Sequence, residues 1–591
     1  MKKSILRIVS LLVCFVSLLS SAGCIKGHTA HTFDCVVTTD AYLKSEATCT
    51  KEAEYYYSCS CGEKGEETFV DGYPLSHDFT AEIIADKYFR SGTCIEYATY
   101  YKSCTMCGKK AQSAFFTTTQ TLDTHTYTEK VAPEFIKEDA TFQSSAVYYK
   151  SCVCGAKSEE TFTHGDPLRQ FTEEEKVPYT PSSLTVTMYD VENNIYGFTF
   201  NTESEPLYPV IQIEKGTQLT ASKKEVAATS VVKTTVQDTK TSSSTKTIYV
   251  AKFEVELESN QTYTYRAYDK HVDVGTETAT LNTKNVKATQ FTFAHVSDTQ
   301  VSNSTTGVTL GKLLSRVNLN SDFIVHTGDF AEGGESDWKL MLDVNFSYVT
   351  QIPIMAISGN HEYSYSKKYD TFNHFNNKLN GDSTKSGVYY SFVYGNVKFI
   401  MLDTNNVSSN KLVEAQYNWL ENELKNNDAK WTVVAMHTPM YSVGKWGMGN
   451  SEVSNEASLA LRNQLQGLFA QYKVDIVLQG HDHTVSRTYP INGLGVAQTE
   501  NWTTEGGVNY SVDPNGVIYV MNGPGGTQTR NPVSGNTTYY NTYYKYYKSS
   551  NSRSWAEFSV DGDKITVVVK YTDGTTDTVY DGCTWGIKKT A

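Results

Sequence analysis

The placement of cysteine constrains this chain more than any other feature. Of twelve Cys in 591 residues, eleven stand at positions 14, 24, 35, 49, 59, 61, 94, 104, 107, 152 and 154. The remaining 437 residues hold only Cys583. Short segments that need sulfur chemistry therefore come first, and a long stretch that must bury its own core follows. At roughly 150 residues per domain the length suggests three or four domains. With 52 Lys plus Arg against 65 Asp plus Glu, a net charge of −13, the chain has no basic footprint for nucleic acid. Charged residues at 20% and aromatics at 12% exclude a wholly disordered chain.

Residues 1–24 read as an address. Lys2, Lys3 and Arg7 precede an apolar run from Ile8 to Leu19, and Ser20-Ser21-Ala22-Gly23-Cys24 follows. A basic start, a short apolar core and small residues behind it make an export signal, too short for a permanent span. Ala22-Gly23-Cys24 resembles a bacterial lipobox, with Ser21 where that pattern prefers Leu. The resemblance implies an acylated Cys24, with the lipid as the only membrane attachment; the alternative is cleavage after Ala22 and secretion. Either outcome is extracytoplasmic.

Residues 25–170 contain about three repeats. Tyr-Tyr-Ser-Cys59-Ser-Cys61-Gly, Tyr-Tyr-Lys-Ser-Cys104-Thr-Met-Cys107-Gly and Tyr-Tyr-Lys-Ser-Cys152-Val-Cys154-Gly recur 45 and 48 residues apart. Cys49 and Cys94 stand ten positions ahead of the first two pairs, and His77, His125 and His164 follow the three units. Three Cys and one His per unit suit a structural zinc ion. Disulfides suit an exported chain, with Cys49 bridging to Cys59 or Cys61. Units this short need one or the other. The pattern resembles Cys/His repeats of bacterial surface proteins, which implies spacing or attachment.

Residues 171–287 open with a Glu-rich, Pro-containing linker and then read as six or seven short strands, an antiparallel sandwich. Thr262-Tyr-Thr-Tyr-Arg-Ala-Tyr-Asp269 resembles the end of the fibronectin-III-like domain found ahead of purple acid phosphatase catalytic domains.

From residue 288 to 591 apolar runs repeatedly end in residues of metal-ligand type. Phe291–Val296 leads to Asp298 and Gln300, and Phe323–Val325 to Gly328-Asp329. Pro353–Ile357 leads to Gly359-Asn360-His361-Glu362, Trp431–Met436 to His437, and Val474–Leu478 to Gly480-His481-Asp482-His483. Helix-period segments lie between them, at Val308–Val317, Trp338–Val349, Lys411–Asn426 and Glu456–Tyr472. The alternation is that of an α/β layered fold, in which loops at the carboxyl ends of parallel strands share a rim. A pair of divalent ions needs a bridging carboxylate, with imidazole and oxygen donors around it. Asp329 suits the bridge, with Asp298 and His483 on one ion and Asn360, His437 and His481 on the other. His295 and His326 read as packed histidines. The glycines read as sharp turns that leave room for phosphate.

Residues 288–591 resemble the calcineurin-type metallophosphatases, and the sandwich in front makes them most similar to the purple acid phosphatase branch. The resemblance implies a four-layer α/β sandwich of βαββαβ type, two ions drawn from zinc, manganese and iron, and His361 as the outer residue that protonates the leaving group. Glu332 stands where the purple enzymes carry a tyrosine ligand, and Gln300 where many relatives carry His, so a purple ferric centre is not expected. The implied activity is hydrolysis of small phosphate monoesters; the alternatives are a phosphodiesterase or nucleotide pyrophosphatase, or a surface adhesin with a vestigial phosphatase domain. Further expectations are a wall formed by Asn522-Gly-Pro-Gly-Gly526, a surface loop or aromatic rim at Tyr539–Tyr547, and a solvated or phosphate-binding Arg487.

Overall fold

The computed structural model describes residues 30–122, 124–140, 144–167, 169–240, 244–364, 370–380, 388–405, 407–447 and 456–590. The export segment with Cys14 and Cys24 lies outside the described residues. The chain divides into two compact units, one ending at His164 and the other running from Gly165 to the end, with a few residues near 132–146 exchanged between them.

The first unit holds one small antiparallel sheet per repeat. In each, a hairpin is closed by the Cys-x-Cys-Gly or Cys-x-x-Cys-Gly turn, as between Tyr97–Ser103 and Lys110–Thr121. A short strand from upstream, Phe89–Ser91 in this repeat, adds the third member. The turn glycines Gly62, Gly108 and Gly155 have φ of 93°, 70° and 89°, a region closed to most L-residues. Apolar burial is slight: the cluster in the second repeat is Tyr88, Ala98 and Tyr100, with Ala85, Phe116 and Leu122 half-buried against it. The structure regroups the cysteines. Cys49 lies with His77, Cys104 and Cys107, not with Cys59 and Cys61, because the chain behind Cys49 turns towards the following repeat.

The second unit opens with a short capped helix, Glu173–Lys176, where a linker was expected. A sandwich of two antiparallel sheets follows. One comprises Ser182–Asp190, Ile195–Thr202, Thr245–Glu256 and Ser230–Gln237. The other comprises Lys224–Ala227, Pro209–Lys215, Thr262–Asp269, Val274–Gly275 and Ala279–Asn282. The sequence had indicated fewer strands: Lys224–Ala227 is short and half charged, Ser230–Gln237 mixes Lys and Thr with Val, and both lie at sheet edges, where a polar strand stays solvated.

Beyond the sandwich lie β1 (Gln290–Val296), α1 (Ser304–Val317), β2 (Phe323–His326), α2 (Glu335–Leu342), β3 (Ile354–Ala356), β4 (Tyr390–Tyr394), β5 (Val397–Met401), α3 (Glu414–Lys425), β6 (Trp431–Met436), α4 (Glu456–Gln471), β7 (Ile476–Gln479), β8 (Val485–Thr488), β9 (Asn501–Glu505), β10 (Val508–Val512), β11 (Ile518–Asn522), β12 (Tyr544–Lys548), β13 (Ser554–Asp561), β14 (Lys564–Thr572) and β15 (Asp577–Lys588). One sheet has the order β3-β2-β1-β13-β14-β15-β10-β9, the other β4-β5-β6-β7-β11-β8-β12. The expected helix over Trp338–Val349 is two pieces, α2 and a turn at Phe346–Val349.

Strand periodicity sorts the side chains into layers. Phe291, Phe293, Phe323, Val325 and Met355 point into a core shared with Val433, Ala435, Ile476 and Leu478 of the other sheet. The alternate residues Ala294, Val296, Ile324, Ile354 and Ala356 pack on α1 and α2. Val434, Met436 and Val477 pack on α3 and α4. Two sheets face to face with helices outside are a four-layer α/β/β/α sandwich. β1, β2 and β3 are mutually parallel, as are β5, β6, β7 and β11, so several carboxyl ends open on one rim.

Candidate metal centre

Every ligand candidate read from the sequence for the two-ion site follows β1, β2, β3, β6 or β7, with Asn360 as the first residue of the short helix Asn360–Ser364 and the others on loops. Asp298 is fully buried, with its Oδ1 3.2 Å from His483 Nε2. Asp329 Oδ2 lies 3.4 Å from His437 Nε2 and 3.7 Å from His361 Nε2. Asn360 Oδ1 lies 3.0 Å from His437 Nε2. Ligand atoms of Asp329, His437 and His481 all lie within 4.8 Å of one another. The loops are bound together by backbone donors to the carboxylates: His481 N–H donates to both Asp298 oxygens, and His361 N–H to Asp329 Oδ1 at 2.9 Å.

The imidazoles are oriented from behind. His437 Nδ1–H donates to Thr327 O at 2.7 Å, His483 Nδ1–H to Gln528 O at 2.5 Å, and His361 Nδ1–H to Glu332 O at 2.7 Å. Each bond turns Nε2 towards the carboxylates, as metal-binding imidazoles require. His481 Nδ1 is buried without a hydrogen-bond partner, as is Gln300 Oε1. Unpartnered buried acceptors are costly unless a cation or solvent completes them. Gln300 Nε2 donates towards His361 Nε2 (3.2 Å) and Asp329 Oδ2 (3.4 Å), so Gln300 joins these two residues by hydrogen bonds.

Backbone strain concentrates here. Asp298, Gln300, Asp329, His481 and His483 all have positive φ, between 41° and 73°. Conformations that L-residues disfavour persist where surroundings over-determine them. The glycines make room for neighbouring loops and not directly for phosphate: a Cβ on Gly328, whose φ is 92°, would stand 2.4 Å from Gly359 N. One on Gly359 would stand 2.2 Å from Asp329 Oδ1.

The electrostatics favour bound cations. Burial pushes the Asp298 carboxyl up, but His483 and His437 more than offset it and hold its pKa down to about 2. Asp329 is likewise held well below the usual carboxylate range by His437, against its burial. Burial pushes His437 down, but Asp329, Asp298 and the Thr327 carbonyl together more than offset it and raise it to about 9, whereas His481 is lowered to about 3, mainly by burial. Without a cation the carboxylates favour a proton on His437, whose place a divalent ion would take.

Glu362 is the residue that sequence reasoning named in its motif but gave no role. It is 1% exposed and accepts three backbone N–H groups: Asp329 (2.8 Å), Phe330 (2.9 Å) and Gly359 (2.8 Å). It thereby fixes the β2 and β3 loops against each other; burial and the Asp329 charge push its pKa up to about 7. Glu332 is tied to Lys240 of the sandwich and accepts from Gln528 Nε2 at 3.0 Å. His295 and His326 are buried packing residues: His295 bonds Thr327 and Asn522, and His326 stacks on Phe330 at 3.6 Å.

Two peripheral expectations fail. Arg487 neither binds in the site nor faces solvent: it is fully buried, paired with Glu500 and lying over Trp585 at 4.4 Å. Tyr539–Tyr547 is neither a surface loop nor a rim. It forms the helix Thr537–Tyr543 and part of β12, with Tyr540 and Tyr544 packed beside Tyr441 and Tyr519. The Gly-rich turn after β11 braces the Asp298 loop, with Gly525 N–H donating to Ser297 O (2.6 Å) and Gly526 N–H to Asp298 O (3.2 Å).

Known proteins resemble this chain in sequence and in fold. Residues 291–485 match the family described as calcineurin-like phosphoesterase. Purple acid phosphatase 23 of Arabidopsis thaliana is 32% identical over 189 residues, 30% of this chain and 35% of that protein. Acid phosphatase type 7 of Homo sapiens is 27% identical over 225 residues, 35% of this chain and 49% of that protein. The matched stretch thus spans about a third to a half of these relatives' own length. The structure of a purple acid phosphatase from yellow lupin superposes over 70% of this chain and 75% of its own, with a TM-score of 0.56 at 18% identity, a likeness of fold. The chain therefore carries a calcineurin-like metallophosphatase domain with homologues among the purple acid phosphatases.

Proposed function

We propose that this chain is an extracytoplasmic phosphomonoesterase of acid-phosphatase type, acting on small phosphate esters with two divalent transition-metal ions. The observation that carries the proposal is the buried Asp329 carboxylate, faced by His437 and His361 and grouped with His481, beside the Asp298–His483 pair. Asp298, Asp329 and His483 would hold one ion, and Asp329, Asn360, His437 and His481 the other. When bound, zinc, manganese or iron supplies an activated water and neutralises charge on the phosphoryl group. His361 is fixed through Nδ1 on the Glu332 carbonyl and presents Nε2 to the site, so its protonated form can donate to the departing alkoxide. Gln300 steadies His361 and Asp329 together. The Glu332 carboxylate, engaged by Lys240 and Gln528, offers no phenolate for a purple centre. The sandwich ahead is read as fibronectin-III-like from its position and strands, and the repeats as a spacer on a lipid-anchored or secreted chain.

The full chain, stripped by chelator and reloaded with zinc, manganese or ferrous iron, is assayed on a nitrophenyl phosphate monoester and its diester. Metal-dependent hydrolysis dominated by the monoester is expected. Preference for the diester with negligible monoesterase activity would replace this reading by a phosphodiesterase, and absence of both bound metal and activity by an adhesin.

A further inference from the structure

The cysteines of the first unit make a second kind of site, independent of the phosphatase reading. Cys49, His77, Cys104 and Cys107 each bring a ligand atom within 4.8 Å of the others, and so do Cys94, His125, Cys152 and Cys154. Both groups cross a repeat boundary. Cys49 precedes Cys59 by ten residues, yet its Sγ lies 3.5 Å from that of Cys104, in the next repeat. Cys94 Sγ lies 3.2 Å from Cys152 Sγ, again one repeat on. The histidines sit alike, with His77 Nδ1 3.4 Å from Cys107 Sγ and His125 Nδ1 3.2 Å from Cys154 Sγ.

The backbone brings this about in the same way twice. Leu75 N–H donates to Thr48 O (2.9 Å) and Leu122 N–H to Thr93 O (3.0 Å). The residue just ahead of Cys49 or Cys94 is thus bound to the irregular segment that leads to the next histidine. Past the histidine, Ala81 bridges to Ser103, and Thr128 to Ser151, each immediately before the paired cysteines. Cys49, Cys104 and Cys152 are buried. Zinc bonds of about 2.3 Å to sulfur and about 2.0–2.1 Å to nitrogen give tetrahedral edges of roughly 3.4–3.8 Å. The Sγ–Sγ and Nδ1–Sγ separations, 3.2–3.5 Å, are close to that edge.

We propose that Cys49–His77–Cys104–Cys107 and Cys94–His125–Cys152–Cys154 are Cys3His zinc sites, each joining one repeat to the next. Metal coordination then does for the array what its slight apolar burial does not. The regular hairpins position the ligands, and zinc sets how one repeat follows another. His31, Cys59 and Cys61 form the corresponding partial set of the first repeat among the described residues.

The test is zinc stoichiometry of the full chain after gel filtration, in serine variants taken singly and in pairs. Cys49→Ser, Cys94→Ser and Cys104→Ser should each lose one ion per chain. Cys49→Ser with Cys104→Ser should still lose one, and Cys94→Ser with Cys104→Ser should lose two. The reverse pattern would place the ions inside single repeats and overturn the proposal. So would a wild-type chain whose cysteines resist alkylation until reduced and which holds no zinc beyond the catalytic centre. Phosphatase activity should be unchanged throughout. The same pairs made as histidine variants keep a fourth donor and guard against simple unfolding. In cobalt-loaded protein, the thiolate-to-cobalt bands should then change at one site for the first pair and at two for the second.

Discussion

Replacing Glu362 by Gln tests whether the metal loops are held from behind. The carboxylate accepts Asp329 N–H and Gly359 N–H on Oε2 and Phe330 N–H on Oε1. An amide in the same volume keeps two of these bonds if its oxygen takes the Oε2 position. Its NH2 group then opposes the Phe330 N–H, leaving one buried donor unpaired at a cost of about 1–3 kcal/mol. The disturbed residue follows Asp329 directly, so the strain falls on the carboxylate proposed to bridge the ions. Residues that orient metal ligands typically cost 10–100-fold in affinity when altered. That range corresponds to about 1.4–2.7 kcal/mol, the same as the lost hydrogen bond.

The assay is metal titration of the stripped protein, followed by phosphatase activity at limiting and saturating metal. Glu362→Gln should weaken ion binding by about 10–100-fold and recover most of its kcat when metal is added. Two outcomes refute the reasoning. Unchanged metal affinity would mean that the three backbone bonds do not position Asp329. Full occupancy with kcat still lost would place Glu362 in the chemistry instead.

His361→Ala should retain both ions and lose about 10²–10⁴-fold in kcat on an alkyl phosphate. The loss should be much smaller on a nitrophenyl ester, whose leaving group needs little protonation; equal losses on both would remove His361 as the proton donor. Arg487→Met strands the buried Glu500 carboxylate and should destabilise the second unit by about 3–5 kcal/mol in urea unfolding, with Glu500→Gln added to the same chain recovering part of it. Tyr265→Phe removes the buried bond to Thr350 O (2.7 Å) and should cost about 1 kcal/mol with metal content unaltered.

The metal loops were legible because each is announced locally, by an apolar run stopped with a ligand-type residue. The layers followed from the same runs, since residues buried on both faces of a strand leave little polar alternation. Glu362 was not legible as an organiser, because its partners are backbone groups on other loops. Arg487 and Glu500 look like two surface charges until folding encloses both. Tyr540 and Tyr544 sit in a stretch whose polar hydroxyls disguise a packed face; the single Tyr540 O–H has the main-chain oxygens of Val443 and Val533 as acceptors within reach. The cysteine groups misled for a topological reason. Nearness in sequence suggested Cys49 with Cys59, but the hairpin carries Cys59 away while Thr48 stays bound to the segment leading onward to His77.

The boundary drawn between sandwich and catalytic domain at 287/288 marks a change of architecture, yet residues 165–591 form one compact unit. The contact reaches the site. Asp238, next to the end of a sandwich strand, accepts Ser336 N–H through its backbone oxygen and Ser336 Oγ–H through its carboxylate, at the start of α2. A Cβ on Gly333 would stand 2.4 Å from Lys240 Cβ, and one on Gly334 2.3 Å from Gln237 O, so the two segments touch backbone to backbone. Lys240 also pairs with Glu332, whose carbonyl oxygen orients His361. Thr185 and Thr199 donate to His374 O, and Asn201 Nδ2 donates to Glu335. A loop of the sandwich thus stands two hydrogen-bonded steps behind the proposed proton donor. The sandwich belongs to the scaffold that positions His361, and cutting the chain at 288 would remove part of that scaffold together with a neighbouring fold.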